Sequence, residues 1–169
     1  RIFLSVLAAS AFAPSVHAES YRALDWSELM PPGEADTLLR SRMFMLTRGP
    51  QHGLLGDEVQ DMASIQPGTF RTVAALDGAR MRLKGFCVPL DVSAGKTSSF
   101  LLVPYFGACI HAPPPPPNQT VYVAADKPQP VRSLSRAVEA SGVLSARQNS
   151  SPMGDTAYRL TLHKLSWPG

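Results

Sequence analysis

The sequence predicts a mainly β chain: a small antiparallel five-stranded OB-like barrel with a few short helical segments. Three observations lead there. Sixteen prolines and twelve glycines in 169 residues work against long helices and favour short strands joined by turns. Several stretches alternate apolar and polar residues with the period of a half-buried strand. The connections between those stretches are long, which suits an OB-type barrel better than a tight meander.

The chain opens on a different pattern. Arg1 precedes an apolar run (Ile2, Phe3, Leu4, Val6, Leu7, Ala8, Ala9), and Val16-His17-Ala18 has the small-x-small form of a cleavage site. This predicts a secretory signal peptide over residues 1–18, with Glu19 the first mature residue and no lipid-bearing Cys after the cut. The mature protein is therefore expected to be exported, periplasmic and soluble. No later stretch approaches ~18 apolar residues, so no integral membrane segment is expected after cleavage.

Residues 19–69 read as an N-terminal approach segment. Asp25 can cap a short turn carrying Trp26, Leu29 and Met30, and Pro31-Pro32 ends it. Trp26 reads as a core anchor. Leu38, Leu39, Met43 and Met45 fit a helix or an extended arm, and residues 52–68 read as loop.

Residues 70–169 read as the barrel domain. Asp77-Gly78 signals a turn, and Met81, Leu83 and Gly85 alternate with Arg82 and Lys84 in a strand from Arg80 to Leu90. Ser93 to Lys96 is a turn. Ser99 to Tyr105 is a continuous apolar run of strand length, expected to be central and buried on both faces. Gln119 to Ala124 alternates again, and Lys127 to Pro130 reads as a turn. Residues 137–146 fit a short helix running into a strand, with Gly142 at the bend. Tyr158, Leu160 and Leu162 alternate with Arg159, Thr161 and His163 in a last strand over Thr156–Trp167.

Composition excludes several function classes. A net charge of +3 without any basic run is no nucleic-acid footprint, which normally shows clustered Lys and Arg. There is no G-x-S-x-G elbow and no phosphate-binding glycine loop. No residue is assigned a catalytic role, and the chain reads as a binding protein rather than an enzyme.

The chemistry gathers in Tyr105-Phe106-Gly107-Ala108-Cys109-Ile110-His111-Ala112, followed by Pro113, Pro114, Pro115, Pro116 and Pro117, then Asn118 and Gln119. On an extended backbone, residues two apart share a face, so Cys109 and His111 can converge on one metal ion, zinc fitting best. Further ligands would come from afar, with Cys87, His52, His163 and Asp91 as candidates. A thiol protease is disfavoured, since nucleophile and base so close on one strand leave no room for substrate. The same thiol has other uses. A Cys87–Cys109 disulfide would close a loop of about 22 residues, worth roughly 3 kcal/mol, and a buried thiol or a redox role stays open. The proline run spans roughly 15 Å as polyproline II. It is either scaffolding that pins His111 or a rod that docks an envelope partner. Asn118 is placed to hydrogen-bond the loop closed, and Asn118-Gln119-Thr120 matches the N-glycosylation triplet.

With those residues on the page, the chain closely resembles an exported bacterial family of unknown function, DUF3299. The resemblance rests on Arg82-Leu83-Lys84-Gly85-Phe86-Cys87-Val88-Pro89-Leu90, on Phe100 through His111, and on Pro113 to Gln119, with the Trp26 segment and the Leu76-Asp77-Gly78 turn in the same pattern. It implies a periplasmic protein without established activity. It also implies an accessory role in metal handling beside zinc-responsive ABC transporter components. Cys109 and His111 belong to the family signature, whereas the position of Cys87 is usually apolar there.

Overall fold

The computed structural model describes residues 20–36, 66, 68–108 and 114–168. The expected leader, His52, Cys109, Ile110, His111, Ala112 and Pro113 lie outside them. Among the described residues six strands form in order: β1 (Arg22–Ala23), β2 (Arg80–Pro89), β3 (Lys96–Val103), β4 (Val121–Pro130), β5 (Val138–Ser145) and β6 (Tyr158–Ser166). The sheet runs β1-β2-β3-β4-β6-β5, and β2 pairs with β5 as well, so β2 to β6 close into a five-stranded barrel. Short 3-10 turns lie at Trp26–Leu29, Ala74–Leu76 and Pro117–Gln119, and residues 34–36 are helical.

The expected antiparallel barrel is mixed at one seam. β4 and β6 run parallel, with Val121 opposite Tyr158 and Ala125 opposite Leu162. A closed ring with an odd number of strands cannot alternate direction all the way round. Here β2–β3, β3–β4, β2–β5 and β5–β6 are antiparallel, so the fifth junction must be parallel. The long connection from β4 through β5 to β6 is what such a pairing requires.

Alternation along β2 turns Met81, Leu83, Gly85 and Cys87 inward and leaves Arg80, Arg82 and Lys84 exposed. Phe100 and Leu102 of β3 join the inner core, with Val121, Val123, Val138, Ala140, Leu144, Tyr158 and Leu160. Burying side chains of this size stabilises by about 1.5–3 kcal/mol each. β3 is apolar on both sides because it is also covered outside. Leu101 and Val103 pack there with Val88 and Ala108 in a second, smaller cluster flanked by Phe86, Tyr122 and Met153.

Two elements differ from expectation. Residues 138–145 are strand throughout, because they pair with β2 on one side and β6 on the other. The two ladders outweigh any local helical preference. Gly142 marks a bulge rather than a bend, with the β5–β6 register shifting between Ser141 and Gly142. Lys127 to Pro130 is not a turn but the far end of β4, paired with β3 through Lys96–Pro130 and Thr97–Gln129. Its ladder with β6 ends at Ala125, so Pro128 and Pro130 stand where one side of the strand needs no donor.

The approach segment seals one end of the barrel. Leu24 and Leu29 belong to the inner core. Glu28 accepts a hydrogen bond from the Asp25 backbone N–H at 3.0 Å, closing the first 3-10 turn. Trp26 packs against the core and donates its indole N–H to the Lys84 carbonyl at 2.7 Å.

At Gly142 an added Cβ would lie 2.0 Å from the Thr161 carbonyl oxygen. Gly142→Ala should therefore lower stability by roughly 1–3 kcal/mol through forced backbone displacement. Urea unfolding followed by Trp fluorescence measures it, and an unchanged midpoint would show that β6 yields freely.

Candidate functional site

The proline run ends in a set of buried anchors. Proline carbonyls accept hydrogen bonds, but the ring has no N–H to give, so every donor must come from elsewhere. Pro115 O accepts from Gln66 Nε2 at 2.6 Å, Pro116 O from the Gln119 N–H at 2.7 Å, and Pro117 O from the Ala157 N–H at 2.8 Å. Thr120 Oγ1 adds a bond to Pro116 O at 3.2 Å. Pro115 and Pro117 are buried, while Pro114 and Pro116 are half-buried. Gly68 lies so close that a Cβ there would meet Pro116 Cβ at 2.6 Å.

Asn118 and Gln119 are fasteners between this rod and the approach segment. Asn118 Nδ2 donates to Glu34 Oε1 at 2.9 Å and to the Arg71 carbonyl at 3.1 Å. Gln119 Nε2 donates to the Trp26 carbonyl at 2.7 Å. Asn118 is 0% exposed, so its amide is inaccessible to a glycan in the folded protein. Glu34 is also buried and accepts a hydrogen bond from Thr69 Oγ1. Glu34 Oε2 and Asn118 Oδ1 have no hydrogen-bond partner among the described residues. Beneath them the Tyr158 hydroxyl donates to the Leu29 carbonyl at 2.9 Å and accepts from the Val73 N–H at 2.7 Å. Burial pushes that hydroxyl's pKa up; the Val73 bond opposes the shift and the Glu34 charge adds to it.

On the other flank, Tyr105 to Ala108 turn back over the outer face of β2, β3 and β4. Gly107 takes φ +83°, a left-handed geometry that glycine adopts without strain. Ala108 is fully buried against Val88, Leu101 and Val103. Phe106 stays 54% exposed, its ring 6.0 Å from that of Phe86. Ala108 and Pro114 are thus the described residues on either side of Cys109 and His111.

The distant candidates do not gather. Cys87 is a free thiol buried in the inner core, and burial pushes its pKa up to about 12. Ala108 packs on the outer face of the same sheet, opposite the side to which Cys87 points. Asp91 caps the β2–β3 turn: its Oδ1 accepts from Thr97 Oγ1 at 2.7 Å and from the Ser99 N–H at 2.9 Å. Those bonds, Thr97 first, hold its pKa below the usual carboxylate value. Exposed His163 bonds the Tyr21 hydroxyl through Nδ1 at 2.9 Å. Among the described residues no three His, Cys, Asp or Glu side chains come together to hold a metal. No helix among them is long and apolar enough to cross a membrane.

Sequence reasoning passed over Gln66, Glu34 and Asp155. Gln66 ties the rod to the β5–β6 loop: Nε2 donates to Asp155 O at 2.8 Å, and Oε1 accepts from the Asp155 N–H at 2.7 Å. No motif marks any of the three, because their roles depend on partners far away in the chain.

Residues 26–167 match the family model described as protein of unknown function (DUF3299). A crystal structure of a DUF3299 family protein from Pseudomonas aeruginosa PAO1 is similar, with 33% identity and a TM-score of 0.66. The match covers 89% of this chain and 97% of that one. No curated protein matches.

Two tests follow from this geometry. Asn118→Ala should cost about 1–3 kcal/mol in urea unfolding, because the change removes the amide from buried Glu34 and the Arg71 carbonyl. Cys87 should resist alkylation in the native protein at pH 8 and react fully once unfolded. Its raised pKa also makes the folded state hold the thiol proton longer than the unfolded chain does. Stability from this group is therefore complete below about pH 9 and is lost as pH rises toward about 12. Cys87→Val should flatten that alkaline decline.

Proposed function

The chain belongs to the DUF3299 family, and from that premise we propose that it is an exported, periplasmic binding protein that presents Cys109 and His111 to zinc. In this reading it serves as an accessory to an ABC-type transport system. The observation that carries the proposal is that Cys87 and Ala108, the residue before Cys109, lie on opposite faces of the sheet. Cys87 points into the inner core with its pKa pushed up to about 12, whereas the residue before Cys109 packs on the outer face. This supports a Cys109 thiol that is open to a metal rather than tied to Cys87.

A thiolate and an imidazole are both ordinary zinc ligands, and zinc would need two more donors. An open coordination position suits transfer, because a partner can complete the coordination and take the ion. Buried anchors flank the stretch on both sides, at Ala108 and at Pro115 to Gln119.

A second reading rests on a different observation. Tyr105 and Phe106 are 44% and 54% exposed beside the same segment, and exposed aromatics of this kind favour docking of an envelope partner. The two readings separate cleanly. Zinc titration of the reduced mature protein should give stoichiometric binding that is lost in both Cys109→Ser and His111→Ala and kept in Phe106→Ala. Binding unchanged by Cys109→Ser would remove the metal reading and leave docking.

A further inference from the structure

The barrel gathers charge that is scattered in the sequence. Outward positions of β2 carry Arg80, Arg82 and Lys84, which alternate with the buried Met81, Leu83 and Gly85. β5 pairs with β2 on one edge and with β6 on the other, and directly opposed residues of a ladder share a face. Ser141 is thus flanked by Arg82 of β2 and Lys164 of β6, and Glu139 by Lys84 and Ser166. Arg159 extends the β6 side, opposite Ser145, with its guanidinium 5.3 Å from the centre of the Tyr122 ring. Arg80 lies 5.1 Å over the Tyr21 ring, a contact that leaves its charge in place. The outer face of β2, β5 and β6 therefore holds five of the chain's 16 Lys and Arg but, at Glu139, one of its 13 Asp and Glu. Five cations against one anion exceed the net +3 of the whole chain, so the remainder is net negative.

The face also has relief. Arg82, Lys84 and Lys164 are exposed, whereas Ser141 between the two rows is 5% exposed. Long cationic side chains on β2 and β6 thus rim a floor of small residues on β5. The Ser141 side chain makes no hydrogen bond among the described residues. Among the same residues Lys84 and Lys164 have no ion pair, and Arg82 has one, 4.0 Å from Glu139. Like charges collected on one face repel each other and favour an anionic partner.

We propose that this face docks an extended acidic segment of a partner protein, seated over β5 between the cations of β2 and β6. Alternate residues of a strand recur about every 6.6–6.8 Å. Carboxylates at every second position of an extended peptide therefore match the rise from Arg80 to Arg82 to Lys84. β2 and β6 lie two strand spacings apart, about 9.5 Å, which gives one chain its place between the rims. Ser141 Oγ offers an O–H donor to a carboxylate at the floor. Glu139 separates a peptide from a polyphosphate: its carboxylate accepts a peptide N–H, but it repels a backbone that carries charge on every unit. A membrane surface fits poorly, because none of the exposed large hydrophobic residues stands on β2, β5 or β6 to enter lipid.

The test uses the full mature chain and a fluorescein-labelled peptide of alternating Glu and Ser, read by anisotropy at physiological ionic strength. Arg82→Glu/Lys164→Glu should weaken binding about tenfold or more, because it sets like charges against the peptide. Arg82→Gln/Lys164→Gln should weaken it by less. Lys96→Glu/Lys127→Glu makes the same charge change on β3 and β4. It should leave affinity within about twofold, since screening confines each charge to its near neighbours. Urea midpoints of all three variants should match wild type. No binding of the peptide by the wild-type protein, or equal loss in the β3/β4 variant, would overturn the proposal. Tighter binding of a single-stranded oligonucleotide or of phosphatidylglycerol vesicles than of the peptide would overturn it as well.

Discussion

A run of prolines accepts hydrogen bonds and donates none, and much of this structure is arranged around that asymmetry. Pro115 and Pro117 are buried and Pro116 is half-buried, and an unmatched acceptor in such a place is costly. Their donors arrive from three separate regions: Gln66 from the approach segment, Gln119 from the turn that follows, and Ala157 from the start of β6. The rod is thereby tied to the N-terminal layer and to the barrel together. Its stiffness becomes a property of the whole fold rather than of a few residues.

The barrel supplies the matching constraint. Closing five strands forces one parallel seam, between β4 and β6, and the proline rod leads into β4 at that seam. OB-type barrels commonly use the outer face of their second and third strands for ligands; here those strands are β3 and β4. In this chain Ala108 and Met153 already pack against that face with Leu101, Val103 and Tyr122. The surface on which other OB barrels read oligomers is the bed for this chain's own loop.

Much of the barrel was legible from residues alone. Alternation of Met81, Leu83 and Gly85 with Arg82 and Lys84 gave β2, and that of Tyr158, Leu160 and Leu162 gave β6, because each strand has one wet and one dry face. β5 was harder: Val138 to Ser145 is buried by pairing on both edges, and its small residues carry little period. The turn read into Lys127–Pro130 failed because proline is tolerated at an unpaired strand side. Cys109 and His111 lie outside the described residues, whereas the expectation that Asn118 hydrogen-bonds the loop closed meets its bonds to Glu34 and the Arg71 carbonyl. Gln66, Glu34 and Asp155 carried no local signal, since each acts through contacts with residues about 50 to 90 positions away.

In the proposed function Cys109 and His111 hold a metal together. X-ray absorption at the zinc edge of the stoichiometrically loaded protein addresses it most directly. A site made by both residues gives one sulfur scatterer at about 2.3 Å and a nitrogen/oxygen shell at about 2.0–2.1 Å that includes a histidine pattern. A first shell of oxygen and nitrogen alone would contradict it.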